Sequence, residues 1–254
     1  MTGGNQKSLA EISLDLCREL PSPAGFFFEA GAHDGESQSN THQLELQLGW
    51  TGVLVEPSKQ FQSLKLNRPG NTLFNVALTE REQPSVRGLF HGNLGDTAAS
   101  DLVSLRQSTG QTRSVWRSLR RARNRILRRL GIRRGVSHKQ LVTVEAKTLD
   151  EVVSLAKTPN IDFLSLDLEG MELPVMRGFS FSIRPRIMVI ETRLGDHLEM
   201  THILIKHGYR LAGVFPPEVT VDGKDSRIVH SNGIWVDFFE EGLFEKLVNR
   251  LTRG

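Results

Sequence analysis

Residues 26–57, FFFEAGAHDGESQSNTHQLELQLGWTGVLVEP, constrain the fold more than any other part of the chain. Phe26, Phe27 and Phe28 form an apolar run that ends in Glu29-Ala30-Gly31-Ala32-His33-Asp34-Gly35. Thr41 to Leu48 carry helical spacing, and Val53-Leu54-Val55 form a second apolar run ending in Glu56-Pro57. Strand, glycine turn, helix and a second strand tipped by an acid make a nucleotide-binding βαβ unit, in which glycines let the backbone approach a ligand. A carboxylate at the second tip can accept hydrogen bonds from both hydroxyls of a ribose.

The glycine spacing departs from the dinucleotide pattern. Gly31 and Gly35, with Ala30 and Ala32 around the first, read G-x-x-x-G, and no pyrophosphate cradle is evident. Glu29 and Asp34 put an acid on either side of the turn, which would repel a diphosphate. Such a turn suits a cation, and S-adenosylmethionine carries positive charge on both its sulfonium and its amino group. The competing reading is a βαβ turn with no ligand at all.

At 254 residues the chain is long enough for one α/β domain with a self-sufficient core. Cys17 is the single cysteine, so no internal disulfide can form, and a reducing, cytoplasmic compartment is expected. The first twenty residues contain no apolar stretch of the secretory kind, and no run approaches the roughly 20 residues needed to span a bilayer. The net charge of +3 hides an asymmetry. Residues 113–135 hold ten arginines and no acid, and without those charges the rest of the chain would stand at −7. The body is therefore acidic and one segment strongly basic.

Along the chain, Leu9, Ile12, Leu16 and Leu20 fall at helical spacing, with Ser8 and Glu11 placed as a capping box. Pro21-Ser22-Pro23 separates this lead-in helix, within residues 1–23, from a single domain over 24–254. Residues 58–66 read as a helix and Thr72 to Leu78 as a third strand, whose Asn75 side chain or Ala77 backbone would lie beside an adenine. Residues 84–112 are polar and glycine-punctuated, a substrate-side loop with His91 and Asp96 as candidates. The basic stretch 113–135 places Trp116, Leu119, Ala122, Ile126 and Leu130 on one side of an amphipathic helix ending at Gly131. It could pack on its own domain as a lid, lie on an anionic membrane surface, or grip a polyanion.

A second informative stretch follows a strand at Leu141 to Val144 and a helix capped by Thr148. Ile161 to Leu166 read as a buried strand that carries Asp167 to its tip, and Glu169 and Glu172 crowd the turn behind it. Ligands of doubly wound folds sit beyond the carboxyl ends of strands, so these acids face the site. Several carboxylates at one tip are costly unless they meet a cation, a metal or a shared proton. Arg186 to Glu191 form another buried strand tipped by an acid, and His197 and His202 fall in the next helix. Tyr209 to Phe215 and Gly233 to Phe239 read as a closing antiparallel pair, and Leu243 to Leu251 as an amphipathic helix.

The segments EAGAHDGESQSNT, GWTGVLVEP, FNVAL, TLDEVV, IDFLSLDLEGMEL and RPRIMVIE resemble, in order and approximate spacing, the FkbM family of S-adenosylmethionine-dependent methyltransferases. The resemblance covers about residues 24–192. The arginine-rich segment is outside the family pattern, and the C-terminal hairpin diverges from it. The resemblance implies a class I, Rossmann-like α/β fold with a mostly parallel sheet, a C-terminal antiparallel hairpin and helices on both faces. It also implies methyl transfer to an oxygen, often a hydroxyl of a sugar, glycan or secondary metabolite. Carried over, Glu29, Gly31, Asp34 and Gly35 would hold the methionine end of the cofactor and Glu56 its ribose. Asp167 would stand beside the sulfonium and the acceptor, with Glu169 shaping the turn.

The chemistry expected is displacement at the sulfonium methyl, aided by removal of the hydroxyl proton. Asp167 is the first candidate for that proton, and His91 and His197 follow. A shared Mg²⁺ between Asp167 and Glu191 is a second route, not favoured because no ligand cluster with diagnostic spacing is visible. A catalytically inactive module that binds membranes or polyanions through residues 113–135 is the competing class. All the expected acids and glycines remain, which argues against decay. An RNA methyltransferase gains from the arginines but lacks an N-P-P-[FYW]-type motif, so nucleic acid is not the expected partner. Oligomeric state is not legible.

Overall fold

The computed structural model describes residues 7–21, 24–37, 39–88, 141–158, 160–222 and 225–253. Helix α1 spans Leu9–Cys17, and its capping box is formed: Ser8 Oγ accepts from the Glu11 amide at 3.3 Å and the Glu11 carboxylate accepts from the Ser8 amide at 2.7 Å. Strand β1 (Phe26–Ala30), helix α2 (His42–Leu48) and strand β2 (Thr51–Val55) form the expected βαβ unit. Helix α3 (Phe61–Asn67) leads to the short strand β3 (Thr72–Phe74). Strands β4 (Ala77–Leu78), β5 (Ser85–Gly88) and β6 (Val142–Lys147) follow. Helix α4 (Leu149–Leu155) starts from a second capping box, Thr148 with Glu151. Strand β7 (Phe163–Leu166), helix α5 (Glu172–Gly178), strand β8 (Ile187–Arg193) and helix α6 (His197–Lys206) complete the alternation. Strands β9 (Tyr209–Asp222) and β10 (Asp225–Asp237) form the closing hairpin before helix α7 (Glu241–Arg253).

Seven strands form one sheet in the order β3-β2-β1-β7-β8-β10-β9. The first five are parallel, and β10 runs antiparallel to both β8 and β9. The central strands are covered on both faces, which is why they read as continuous apolar runs rather than alternating ones. Side chains still divide by parity. Phe28, Ala30, Leu164, Leu166, Met188 and Ile190 pack with α4, α5 and α6. Phe27, Phe163, Ile187, Val189, Ile234 and Val236 pack with α1, α2, α3 and α7. This is the doubly wound, mostly parallel α/β architecture with helices on both faces that the resemblance implies.

Two elements differ from their sequence pattern. The strand expected over 72–78 is two strands. β3 ends at Phe74, and Asn75 donates from its side chain to the backbone carbonyl of Glu56 at 2.7 Å. The chain then turns into β4, which pairs with β6 in a separate sheet of order β4-β6-β5. The hairpin is also longer than its apolar residues suggest. β10 pairs with β8 only from His230 to Val236, so the residues from Asp225 to Ile228 pair with β9 alone and run past the end of β8. The basic stretch 113–135, His91 and Asp96 lie outside the described residues. Among the described residues no helix is long and apolar enough to cross a membrane.

Candidate active site

The parallel strands all end on one edge, and the register fixes what meets there. Ala30 is paired with Leu166 and Leu166 with Ile190, so the next row is Gly31, Asp167 and Glu191, with Asn232 of β10 opposite Glu191. By parity this row faces the α1, α2, α3 and α7 layer. Gly31 is obligatory for the row. Its φ is +86°, and a Cβ built there would lie 1.9 Å from the carbonyl oxygen of Asp167. Glycine alone lets the two strand tips come this close.

On the β1–β2 side the acids are occupied by backbone and hydroxyl donors. The Glu29 carboxylate, only 3% exposed, accepts from the hydroxyls of Ser39 (2.8 Å) and Thr41 (2.6 Å) and from the Asn40 amide (2.7 Å). Burial raises its pKa, and those donors with the Arg68 charge pull the other way. Glu29 therefore braces the entry to α2, with little surface left for a ligand, whereas the family resemblance would place it at the methionine end. Asp34 is more open. It accepts from the amides of Glu36 (3.0 Å) and Ser37 (2.7 Å). Burial opposes this, yet those bonds and the neighbouring His33 hold its carboxyl below the ordinary range. Glu56 accepts from the His33 amide (2.9 Å) and the Ser58 amide (2.8 Å), locking the glycine turn to the β2 tip. Asn75 is held against Glu56, while Ala77 is buried and paired with Ala146 in the second sheet.

Arg68 is a residue that sequence reasoning missed. It has no exposed surface, donates to the carbonyl of Gly35 (2.9 Å), to Ser39 Oγ (3.3 Å) and to Thr41 Oγ1 (3.4 Å), and pairs with Glu45. Its guanidinium also lies over the Phe27 ring, 5.4 Å from its centre. One cation thus ties the glycine turn, the 39–41 loop and α2 together. The sequence offers no signal for it, because Arg68-Pro69-Gly70 reads only as the end of a helix.

On the β7–β8 side acids meet acids. Asp167 is exposed and is held at the tip through its amide, which donates to the Ala30 carbonyl at 3.1 Å. The turn behind it passes through two left-handed residues, Glu169 (φ +55°) and Gly170 (φ +101°). Glu172 closes that turn by accepting from the amides of Leu168 (2.5 Å) and Gly170 (2.9 Å). Burial pushes the Glu172 carboxyl up to about 7, and the Asp167 charge adds to the push. Carboxylate oxygens of Asp167, Glu172 and Glu191 all lie within 4.8 Å of one another, a cluster the sequence spacing did not disclose. Arg193, the last residue of β8, covers Gly170 and donates to the Glu169 carbonyl. His197 stands at the start of α6, its Nε2 3.1 Å from Ser231 Oγ of β10.

Of the residues singled out from sequence, Gly31 and Asp167 are thus brought together with Glu191, and Glu56 with His33 and Asn75. A separate open groove of about 750 Å³ lies beside the second sheet, lined by Glu80, Glu82, Lys147 and the start of α4, and includes none of the strand-tip residues.

No match is found among curated proteins. Among solved structures the chain is similar to precorrin-6Y C5,15-methyltransferase from Geobacter metallireducens GS-15. The identity is 10% over 92% of this chain and 89% of that one, with a TM-score of 0.42. It is similar to the C-terminal domain of the Rhodobacter capsulatus precorrin-6Y C5,15-methyltransferase to the same degree, 10% identity over 92% and 91% of the two chains with a TM-score of 0.41. Likeness at this distance adds nothing to the strand order already described. The sequence itself matches the model of the methyltransferase FkbM domain over residues 29–211, which takes in the glycine turn, the three acid-tipped strands and the start of the hairpin. With these strand tips and that match, the chain belongs to the FkbM methyltransferase family.

Proposed function

We propose that this chain methylates a hydroxyl oxygen of a sugar, glycan or secondary metabolite, using S-adenosylmethionine. The observation that carries the reading is the row Gly31, Asp167, Glu191, in which one exposed carboxylate stands between the glycine turn and the closing hairpin. The donor set fits the cofactor: anionic Asp34 beside the turn suits a cationic methionine end, and Glu56 at the β2 tip suits the ribose. When bound, that group supplies an electrophilic methyl and leaves as a neutral thioether. Asn75 and the backbone at Ala77 border the adenine side. Asp167 orients the acceptor hydroxyl and takes its proton as the new C–O bond forms. The glycine turn keeps side chains out of the space between the β1 and β7 tips.

The test is calorimetric titration with S-adenosylmethionine, run beside Asp34→Ala and Glu56→Gln. Micromolar binding lost in both variants supports the reading and opens an acceptor screen that begins with glycans. A folded protein that gives no heat removes it, and turns attention to a non-catalytic role for residues 113–135 at an anionic membrane or polyanion. A metal-assisted reading gains from one observation, the approach of Asp167, Glu172 and Glu191 within 4.8 Å. An all-oxygen set of this kind suits Mg²⁺, which would lower the acceptor's pKa. Turnover that stops in EDTA and returns with Mg²⁺ would establish it. The main reading needs no metal, and turnover that survives EDTA is its expected result.

A further inference from the structure

We infer that Arg193 is a specificity-determining residue of the acceptor site, and that the acceptor carries a carboxylate or phosphate near the hydroxyl to be methylated. The inference rests on the methyl-transfer reading above. Arg193 lies two residues beyond Glu191 on β8, so strand alternation puts it on the face of the sheet that carries Asp167 and Glu191. It stands opposite His230, the first residue of β10 to pair with β8, beyond which the hairpin runs past the end of β8. An acceptor approaching Asp167 from the hairpin side meets this guanidinium.

Two features distinguish Arg193 from an ordinary surface arginine. Its guanidinium is fixed. The carbon of that group occupies the space a Cβ on Gly170 would need, 1.9 Å from its ideal position, and it donates to the Glu169 carbonyl. Ordering it on binding therefore costs little. Among the described residues Arg193 also forms no ion pair, even though three carboxylates stand at the same tips. Other arginines behave differently. Arg177 forks onto Glu199, Arg184 onto Asp237 and Arg186 onto Glu240, each through two hydrogen bonds. Among the described residues Arg193 uses one of its five donors, and the others belong to the planar fork that matches carboxylate and phosphate oxygens.

The alternative is that Arg193 only clamps the 167–172 turn. One N–H suffices for a clamp, so lysine can replace it there but cannot reproduce the fork. The experiment uses the full chain with ¹⁵N-labelled arginine and bound S-adenosylhomocysteine, and follows the Nε–H signal that disappears in Arg193→Gln. Methyl glucuronide, glucose 1-phosphate and neutral methyl glucoside are titrated in turn. The signal should move saturably, at roughly millimolar concentration for a single bidentate pair, with the carboxylate or the phosphate and not with the glucoside. Whichever anion acts identifies the group. Arg193→Lys should bind that anion at least roughly tenfold more weakly while holding S-adenosylhomocysteine as the unaltered protein does. A signal that stays still for both anions up to about ten times that concentration, or moves equally with the glucoside, overturns the inference, as does full anion affinity in Arg193→Lys. Loss of S-adenosylhomocysteine binding in the unaltered protein would instead count against the methyltransferase reading. The arginine signal is then read without the cofactor, so the two failures stay distinct.

Discussion

The two halves of the strand-tip edge handle their acids in opposite ways. On the β1–β2 side, Glu29, Asp34 and Glu56 each accept from backbone amides or hydroxyls, and a buried Arg68 closes the network. On the β7–β8 side, Asp167, Glu172 and Glu191 lie within 4.8 Å of one another, and Glu172, though it too accepts from two amides, is displaced toward neutrality. The first arrangement is a frame in which amides, hydroxyls and one guanidinium hold each acid in place. The second brings three carboxylates close together, where a proton or a cation lowers their mutual repulsion. The difference divides the labour: the first half holds, and the second half reacts.

The sharpest way to break this comparison is to separate the halves where they touch. Gly31→Ala forces a Cβ against the Asp167 carbonyl in a conformation alanine rarely adopts. We expect a loss of at least about 4 kcal/mol in urea unfolding. A loss under about 1 kcal/mol would mean the tips are not locked together as described.

Next in size is Asp167→Asn, which keeps the shape of the tip and removes the base. Turnover should fall roughly 10²–10⁴-fold, while cofactor affinity measured by calorimetry stays within about threefold. Equal losses in both would place Asp167 in the holding half.

Glu172 gives an effect of a few kcal/mol that depends on pH. Its folded pKa of about 7 lies above the ordinary value of 4.5, so the folded state binds the proton more tightly than the unfolded one. Stability from this group is fully present below 4.5 and declines as pH rises through about 7, by on the order of 3 kcal/mol at most. Urea midpoints should therefore fall between about pH 5 and 8. Glu172→Gln should flatten that profile, and an unchanged slope would show that the repulsion lies elsewhere in the cluster.

How much of this was legible follows the same division. The βαβ unit, the acid-tipped strands, the Ser8–Glu11 capping box and the Thr148 cap announce themselves because each is a local pattern: an apolar run, a glycine turn, a Ser or Thr at the start of a helical repeat. The joining of Gly31 to Asp167 follows from parallel register once both strands are placed. What stayed hidden depends on contacts distant in sequence. Arg68 reaches back more than thirty residues to the carbonyl of Gly35, and nothing around it marks the reach. Asn75 breaks an apolar run of strand residues by bonding to a carbonyl nineteen residues earlier. In the sequence Glu172 is one of several acids behind a tip, and only its bonds to Leu168 and Gly170 show it to be the brace.

The smallest effect tests the holding half. Ser39 Oγ donates to Glu29 and accepts from the His42 amide at 3.1 Å, so it serves both the buried acid and the start of α2. Thr41 cannot take over, because its own hydroxyl is committed to Glu29. Ser39→Ala should cost roughly 1–2 kcal/mol. The pH dependence of that cost carries the information. Glu29 already has a raised pKa, and losing one donor raises it further, which moves stability loss toward neutral and alkaline pH. The deficit of Ser39→Ala relative to the unaltered protein should then be larger at about pH 8 than at about pH 5. An equal deficit at both would mean that Ser39 acts only as a helix cap, and that Asn40, Thr41 and Arg68 are enough to hold the Glu29 carboxyl.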